Sequence, residues 1–229
     1  MKKEAKYTLL LLSIITSILF ACKKTGVIGN DISFVAAYNA STGSTGINFL
    51  IDGQAINTSI LAQGQKSTYY GVYEGMWNTE VVPTGSTTTF KRDLTFTAGE
   101  RNSLFVIGQK DTLDYFIIKD DLNVRDLNKV KVKFLNLCRN SGTLTLEVQL
   151  LGTISEFPGY AYKAFSDYQN FNGGLIYTLT MRNTSTKAVV GTPITAEFTQ
   201  GKIYTVWARG SVNATLQIER PTIQISEVN

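Results

Sequence analysis

The sequence predicts an all-β chain built as two tandem antiparallel β-sandwiches. Three observations carry this reading. Beyond residue 30, short runs rich in Val, Ile, Thr, Tyr and Phe alternate with clusters of Gly, Asn, Ser and Asp, the punctuation of strands and turns. No stretch of that region holds a sustained 3.6-residue apolar period, so little helix is expected. A pattern of glycines and aromatics also recurs about one hundred residues on.

The chain opens differently. Met1–Lys6 is a short basic leader, and Tyr7–Phe20 follows without a charge. That apolar run has the length of a signal-peptide core and is short for a permanent membrane span. It ends in Leu19-Phe20-Ala21-Cys22, which resembles a lipobox: an aliphatic residue at −3, a small one at −1, then cysteine. Phe20 is bulkier than is usual at −2. In such a motif the Cys22 thiol accepts a diacylglyceryl group, and cleavage after Ala21 frees an amine for a further acyl chain. Each buried methylene adds about 0.8 kcal/mol, so two or three chains anchor where one does not. Residues 1–21 are therefore read as a lipoprotein signal and residues 22–30 as a polar tether. No acidic cluster follows Cys22, which points to a periplasm-facing position at the outer membrane.

The leader carries Lys2, Lys3, Lys6 and Glu4, so about half of the chain's formal charge of +4 leaves with it. Nothing in the remainder forms a basic stripe, and no nucleic-acid partner is expected. The sequence contains no histidine, which excludes Ser-His-Asp and Cys-His nucleophiles and histidine-bound zinc. No Gly-rich phosphate loop or distinctive carboxylate pair stands out, so neither a catalytic site, a metal nor a cofactor is expected. With Cys22 lipidated, Cys138 has no disulfide partner and is read as a small buried hydrophobe.

The strand candidates of the first repeat, residues 31–122, are Ile32–Tyr38, Ile47–Asp52, Thr79–Val82, Thr88–Thr97, Ser103–Ile107 and Asp114–Ile118. The second repeat is placed at 130–229, after a linker at 123–129. Ile32-Ser33-Phe34-Val35 aligns with Val132-Lys133-Phe134-Leu135, an offset of one hundred. Phe96-Thr97-Ala98-Gly99 aligns with Phe198-Thr199-Gln200-Gly201, and each is followed nine residues later by Gly108 or Gly210. Gly99 and Gly201 are expected at positive φ in a tight turn. In the strand that returns, Leu104 and Val206 should face the core, with Phe105 and Trp207 on the opposite face.

These residues resemble domain-of-unknown-function family 4397, in a setting like that of Bacteroidetes lipoproteins. The opening strands ISFVAAY and VKFLNL are of its V-R-F-V-N type, GKIYTVWARG fits its T-x-x-x-G-x-x-Y-T-V hairpin, and Asp120-Asp121-Leu122 stands where its linker stands. The resemblance spans roughly residues 31–228. The family's S-P-D-A-P loop is missing from both copies, which read NASTGSTG and CRNSGT. The resemblance implies immunoglobulin-like sandwiches outside the cytoplasm and no catalytic residues.

Two segments are candidates for binding. Gly159–Phe171 is the most aromatic stretch, and Tyr160, Tyr162, Phe165 and Tyr168 could stack on a sugar or anchor a protein if exposed, or fill the core. Tyr69, Tyr70, Tyr73 and Trp77 stand in the corresponding part of the first repeat. The linker Lys119–Lys129 gathers Asp120, Asp121, Asn123, Asp126 and Asn128, but its spacing fits no calcium loop and a solvated linker is expected. The expected function is a non-enzymatic envelope module that binds or scaffolds, its ligand unassigned and its partner a protein or a glycan. The alternative is a glycan binder of an uptake system. Cys22→Ser should release the protein from the membrane fraction. A variant that stays in the detergent-extractable pellet contradicts the lipid anchor.

Overall fold

The computed structural model describes residues 31–43, 45–109, 111–122 and 126–228. The leader, Cys22, the tether and residues 123–125 of the linker lie outside them. Residues Ile32–Asn229 form one compact unit.

The first half of that unit runs through β1 (Ile32–Asn39), β2 (Gly46–Ile51), β3 (Gln54–Ala55), β4 (Leu61–Ala62), β5 (Tyr70–Tyr73), β6 (Gly75–Pro83), β7 (Phe90–Phe96), β8 (Arg101–Gln109) and β9 (Thr112–Lys119). The second runs through β10 (Lys129–Asn136), β11 (Leu144–Leu150), β12 (Thr153–Tyr160), β13 (Ala164–Phe165), β14 (Gln169–Asn172), β15 (Leu175–Asn183), β16 (Ile194–Phe198), β17 (Ile203–Arg209) and β18 (Thr222–Glu227). Among the described residues the one helical element is a 3₁₀ turn at Gln217–Glu219.

Four sheets result, with strand orders β3-β2-β6-β7, β5-β1-β8-β9, β13-β10-β17-β18 and β12-β11-β15-β16. Most pairs are antiparallel, as expected. However, β1 pairs with β8, and β10 with β17, in parallel. The expectation of purely antiparallel sheets is corrected at these two places. In each half the first strand and the strand after the Phe-Thr-x-Gly turn both leave the same end of the sheet, so they run the same way.

Strand alternation explains the layering. Val35 and Ala37 of β1, with Leu104 and Val106 of β8, enter a core shared with Ile47, Phe49 and Val81 of the neighbouring sheet. In the second half Val132, Phe134 and Val206 meet Leu146, Leu179 and Phe198. The opposite faces of the same strands are buried too. Ala36, Tyr38, Phe105 and Ile107 pack against Leu135, Leu137 and Trp207 in a third core, between the halves. Strands covered on both faces carry continuous apolar runs, which is why these four read as VAAY, LFVI, FL and VWA.

The third core is aromatic at its centre. Tyr38 stacks on Phe105 with ring centroids 4.4 Å apart. Trp207 stands edge-on to Phe105 at 5.4 Å and to Tyr38 at 6.1 Å. Its indole N–H donates to Ser226 Oγ at 3.1 Å. Aromatic pairs of this kind add about 0.5–1.5 kcal/mol each beyond the area they bury.

Backbone locks recur in both halves. Asn39 Oδ1 accepts from the Ser41 N–H at 3.1 Å, and its Nδ2 donates to the Leu61 carbonyl. Asn136 does the same for Cys138 at 2.9 Å and for the Tyr160 carbonyl. Ser67 Oγ accepts from the Ala37 N–H, and Ser166 Oγ from the Phe134 N–H. These bonds match Asn39 to Asn136 and Ala37 to Phe134, an offset of ninety-seven. The alignment of Phe34 with Phe134 is therefore corrected by three residues. An odd shift reverses the face a side chain takes, which is why Phe134 is in the core while Phe34 is only half buried.

Gly99 and Gly201 have φ of 75° and 71°, and each N–H donates to the first residue of its opening strand, Ile32 or Lys129, at 2.9 Å. Their turn positions are as expected. The third core draws side chains from both halves. Gly201→Val should cost about 1–2 kcal/mol and lower the melting of both halves together, measured by probes placed in each. A loss confined to the second half contradicts the shared core.

Candidate functional site

The four aromatics singled out in the sequence do not share a surface. Tyr160 packs edge-on to Phe134 at 6.1 Å, at the margin of the second-half core. Tyr162 lies half buried against the core between the halves. Phe165 is 44 % exposed, with its ring edge toward Phe116 of the first half at 6.2 Å. Tyr168 lies beneath the Lys133 ammonium, 4.3 Å from its ring centre, and its buried hydroxyl has no hydrogen-bond partner among the described residues. Within the first repeat's aromatics, Tyr73 is exposed and Trp77 donates its indole N–H to the Tyr73 carbonyl at 2.9 Å.

Of the described residues in Lys119–Lys129, Asp121, Asp126, Leu127 and Asn128 are exposed, whereas Asp120 turns inward. Asp120 accepts from Tyr69 Oη at 2.6 Å and from Ser103 Oγ at 2.9 Å. Burial pushes its carboxyl above the usual range, while those two hydrogen bonds and the Lys133 and Lys66 charges pull the other way. Burial likewise lowers Lys133 and raises Tyr69 and Tyr168. Asp121 pairs with Lys131 at 3.3 Å. Among the described residues no group of three or more His, Cys, Asp or Glu is placed to hold a metal ion. Cys138 is buried in the second-half core, and burial pushes its thiol up to about 12, which leaves no thiolate at neutral pH.

The turn that follows the second strand-pair in each half lies on the last strand of the other half. Lys163 pairs with Asp114 at 2.8 Å, and Asp114 also pairs with Arg92. In the other direction Lys66 donates to the Glu227 carbonyl, and Arg209 donates to Gln63 Oε1 at 3.2 Å. This reciprocal clasp was not read from the sequence, because its residues are ordinary surface charges until the halves meet.

Two concave regions among the described residues bear on function. One, of about 520 Å³, is lined by Glu100, Arg101, Lys119, Asp120 and Asp121, of which Lys119 pairs with Glu100 and Asp121 with Lys131 outside the lining. The other, of about 430 Å³, opens at the end of the second half between β12 and β14. Neither was anticipated.

The chain belongs to the family described as a domain of unknown function (DUF4397), whose match covers residues 33–147, half of its length. That match runs from β1 into β11. No curated protein matches the chain. Among solved structures it is similar to the Bacillus anthracis TIE protein, at 11 % identity and a TM-score of 0.29, over 79 % of this chain and 34 % of that one. The chain thus spans about a third of that protein's length. It is also similar to CBMbc (family CBM26) of Eubacterium rectale Amy13K, solved with maltoheptaose, at 11 % identity and a TM-score of 0.27, over 86 % of this chain and 97 % of that one. Likenesses this distant carry no argument about ligand or partner.

The raised Asp120 gives a signed expectation. Its folded pKa lies above its ordinary value of 3.8, so the folded state holds the proton more tightly than the unfolded chain. Relative to Asp120→Asn, the wild type should then lose stability as pH rises from about 4 through the folded pKa. Denaturant midpoints of both proteins across that window measure the difference. Parallel curves, or a wild type that gains with rising pH, contradict the burial of this carboxyl.

Proposed function

We propose that the chain is a non-enzymatic lipoprotein of the bacterial cell envelope that binds or scaffolds a protein partner. In this reading Cys22 holds it by lipid at the outer membrane. Residues 31–122 and 130–229 are two copies of one immunoglobulin-like sandwich, joined through 123–129. The observation that carries the reading is the third core. Tyr38, Phe105 and Trp207 leave no room between the halves for a substrate and weld them into one stiff body. A stiff body on a short polar tether suits presentation of a surface. The histidine-free sequence supports the same view by removing the commonest hydrolytic chemistries.

The alternative, glycan binding through Tyr160, Tyr162, Phe165 and Tyr168, draws support only from Phe165, since the other three are half buried in different surroundings. The outward faces offer better contacts for a protein. Met76 on β6 is 73 % exposed, and Ile176 on β15 is 64 % exposed. These two occupy matching places, one residue after the positions paired with Phe96 and Phe198. A photo-crosslinker at either position should capture a discrete protein partner in intact cells. No adduct at either position would contradict the scaffolding reading, as would turnover of a substrate by the purified chain.

A further inference from the structure

We propose that the open end of the second half is a binding cleft for a neutral saccharide. The proposal rests on the reading of the chain as a binding module and goes beyond the protein partner proposed above, at a different surface.

The cleft exists because one hairpin is longer than its counterpart. In the first half, Ile51 of β2 lies opposite Thr79, and the chain turns at once through Asp52-Gly53. In the second half the matching residue is Val148, opposite Leu179. There β11 and β12 continue for two more pairs, Gln149 with Ile154 and Leu150 with Thr153, before turning through Leu151-Gly152. Both turns place two residues at positive φ, so the hairpins differ in length and not in turn geometry. The overhang projects past the edge of the facing sheet, where β14 ends at Asn172. Between them lies the space of about 430 Å³, within the range of small-ligand sites.

The chemistry of the walls selects a class of ligand. The floor is apolar: Val148, Phe171 and Tyr177, all buried in the second-half core, and Leu150 and the exposed Leu151 add an apolar lip on the overhang. The rim carries uncharged hydrogen-bonding groups, the exposed side chains of Thr153, Ser155, Asn170 and Asn172. These can donate to and accept from hydroxyls that point in several directions. No carboxylate lines the cleft, and its cation, Lys129, donates to Asn172 Oδ1 at 2.6 Å. Tyr177 Oη donates to the Asn172 carbonyl at 2.9 Å, which fixes the strand that carries the two amides. A pyranose ring has this division, with an apolar C–H face and a polar hydroxyl edge. A fully apolar chain would leave the rim unsatisfied, and an anion would have to win Lys129 from Asn172.

The first half supplies a built-in comparison. By strand register Gly71 and Tyr73 stand where Asn170 and Asn172 stand, and Trp77 where Tyr177 stands. With the shorter hairpin it has neither the overhang nor the paired amides. Binding is accordingly expected in the second half alone.

The test uses the full chain beyond Ala21, labelled with nitrogen-15, titrated with neutral trisaccharides: α-1,4- and β-1,4-linked glucose and β-1,4-linked xylose. A trisaccharide of galacturonic acid and a neutral tetrapeptide serve as counterparts. At least one neutral sugar should shift the Asn170 and Asn172 side-chain amides and the Thr153 and Ser155 backbone amides, with saturation. Ser155→Arg, at an exposed position, should weaken that binding about tenfold or more while the melting temperature stays in place. Tyr73→Ala should leave it unchanged. The proposal is overturned if no neutral sugar shifts these groups, if the shifts gather around Phe165 instead, or if only the uronic acid or only the peptide binds. Silent sugars alongside a crosslinked protein partner would remove the cleft and leave the binding-module reading standing.

Discussion

The contact of Tyr38, Phe105 and Trp207 between the halves is the constraint on which the rest of the structure depends. These rings sit on the reverse face of strands whose obverse already fills a core, so β1, β8, β10 and β17 are covered on both sides. Where both sides are covered, at VAAY, LFVI, FL and VWA, these strands carry no polar alternation, and polarity falls largely to their ends and flanks. Lys66, Lys163, Asp114 and Arg209 form a charged margin that reaches across from each half to the other. Surface pairs of this kind add little energy. Their reciprocal placement fixes which way the halves face once the aromatic contact has brought them together. The stack leaves for recognition only its two outer sheets, its edges and its ends.

Much of this was legible in the sequence. Short β-rich runs between Gly, Asn and Ser clusters marked the strands, and the Phe-Thr-x-Gly signature placed Gly99 and Gly201 at equivalent turns because few other residues accept that backbone. The division of Leu104 from Phe105, and of Val206 from Trp207, followed from strand alternation. What lay on the far face did not, since a ring that points away from one core looks the same whether water or another half covers it. The register of β1 against β10 was also hidden. Apolar residues on both faces give no parity to align by, and the buried amides of Asn39 and Asn136, which set the true offset, are inconspicuous among many asparagines. The same ambiguity made the aromatic segment look like one surface, whereas the folded chain distributes it among two cores, a cation and an exposed edge.

The cleft of the second half lies further from sequence. It comes from two extra residue pairs in one hairpin, a difference seen only after the halves are matched strand by strand. Matching halves can differ most cheaply at such places, because lengthening an exposed hairpin leaves the packed strands untouched. One half therefore keeps a closed end while the other acquires polar walls over an aromatic floor. Membership in the DUF4397 family names no activity, so the functional argument rests on that local asymmetry and on the rigidity of the stack.

The central claim is that the third core makes the halves one cooperative body, and hydrogen exchange at the Trp207 indole measures it most directly. This N–H is buried between the halves and donates to Ser226 Oγ at 3.1 Å. If the halves separate only when the protein unfolds, the indole proton exchanges with the same free energy as the most protected backbone amides of β8 and β17. Exchange of the indole far faster than those amides would mean that the halves part while each stays folded, and would contradict the account.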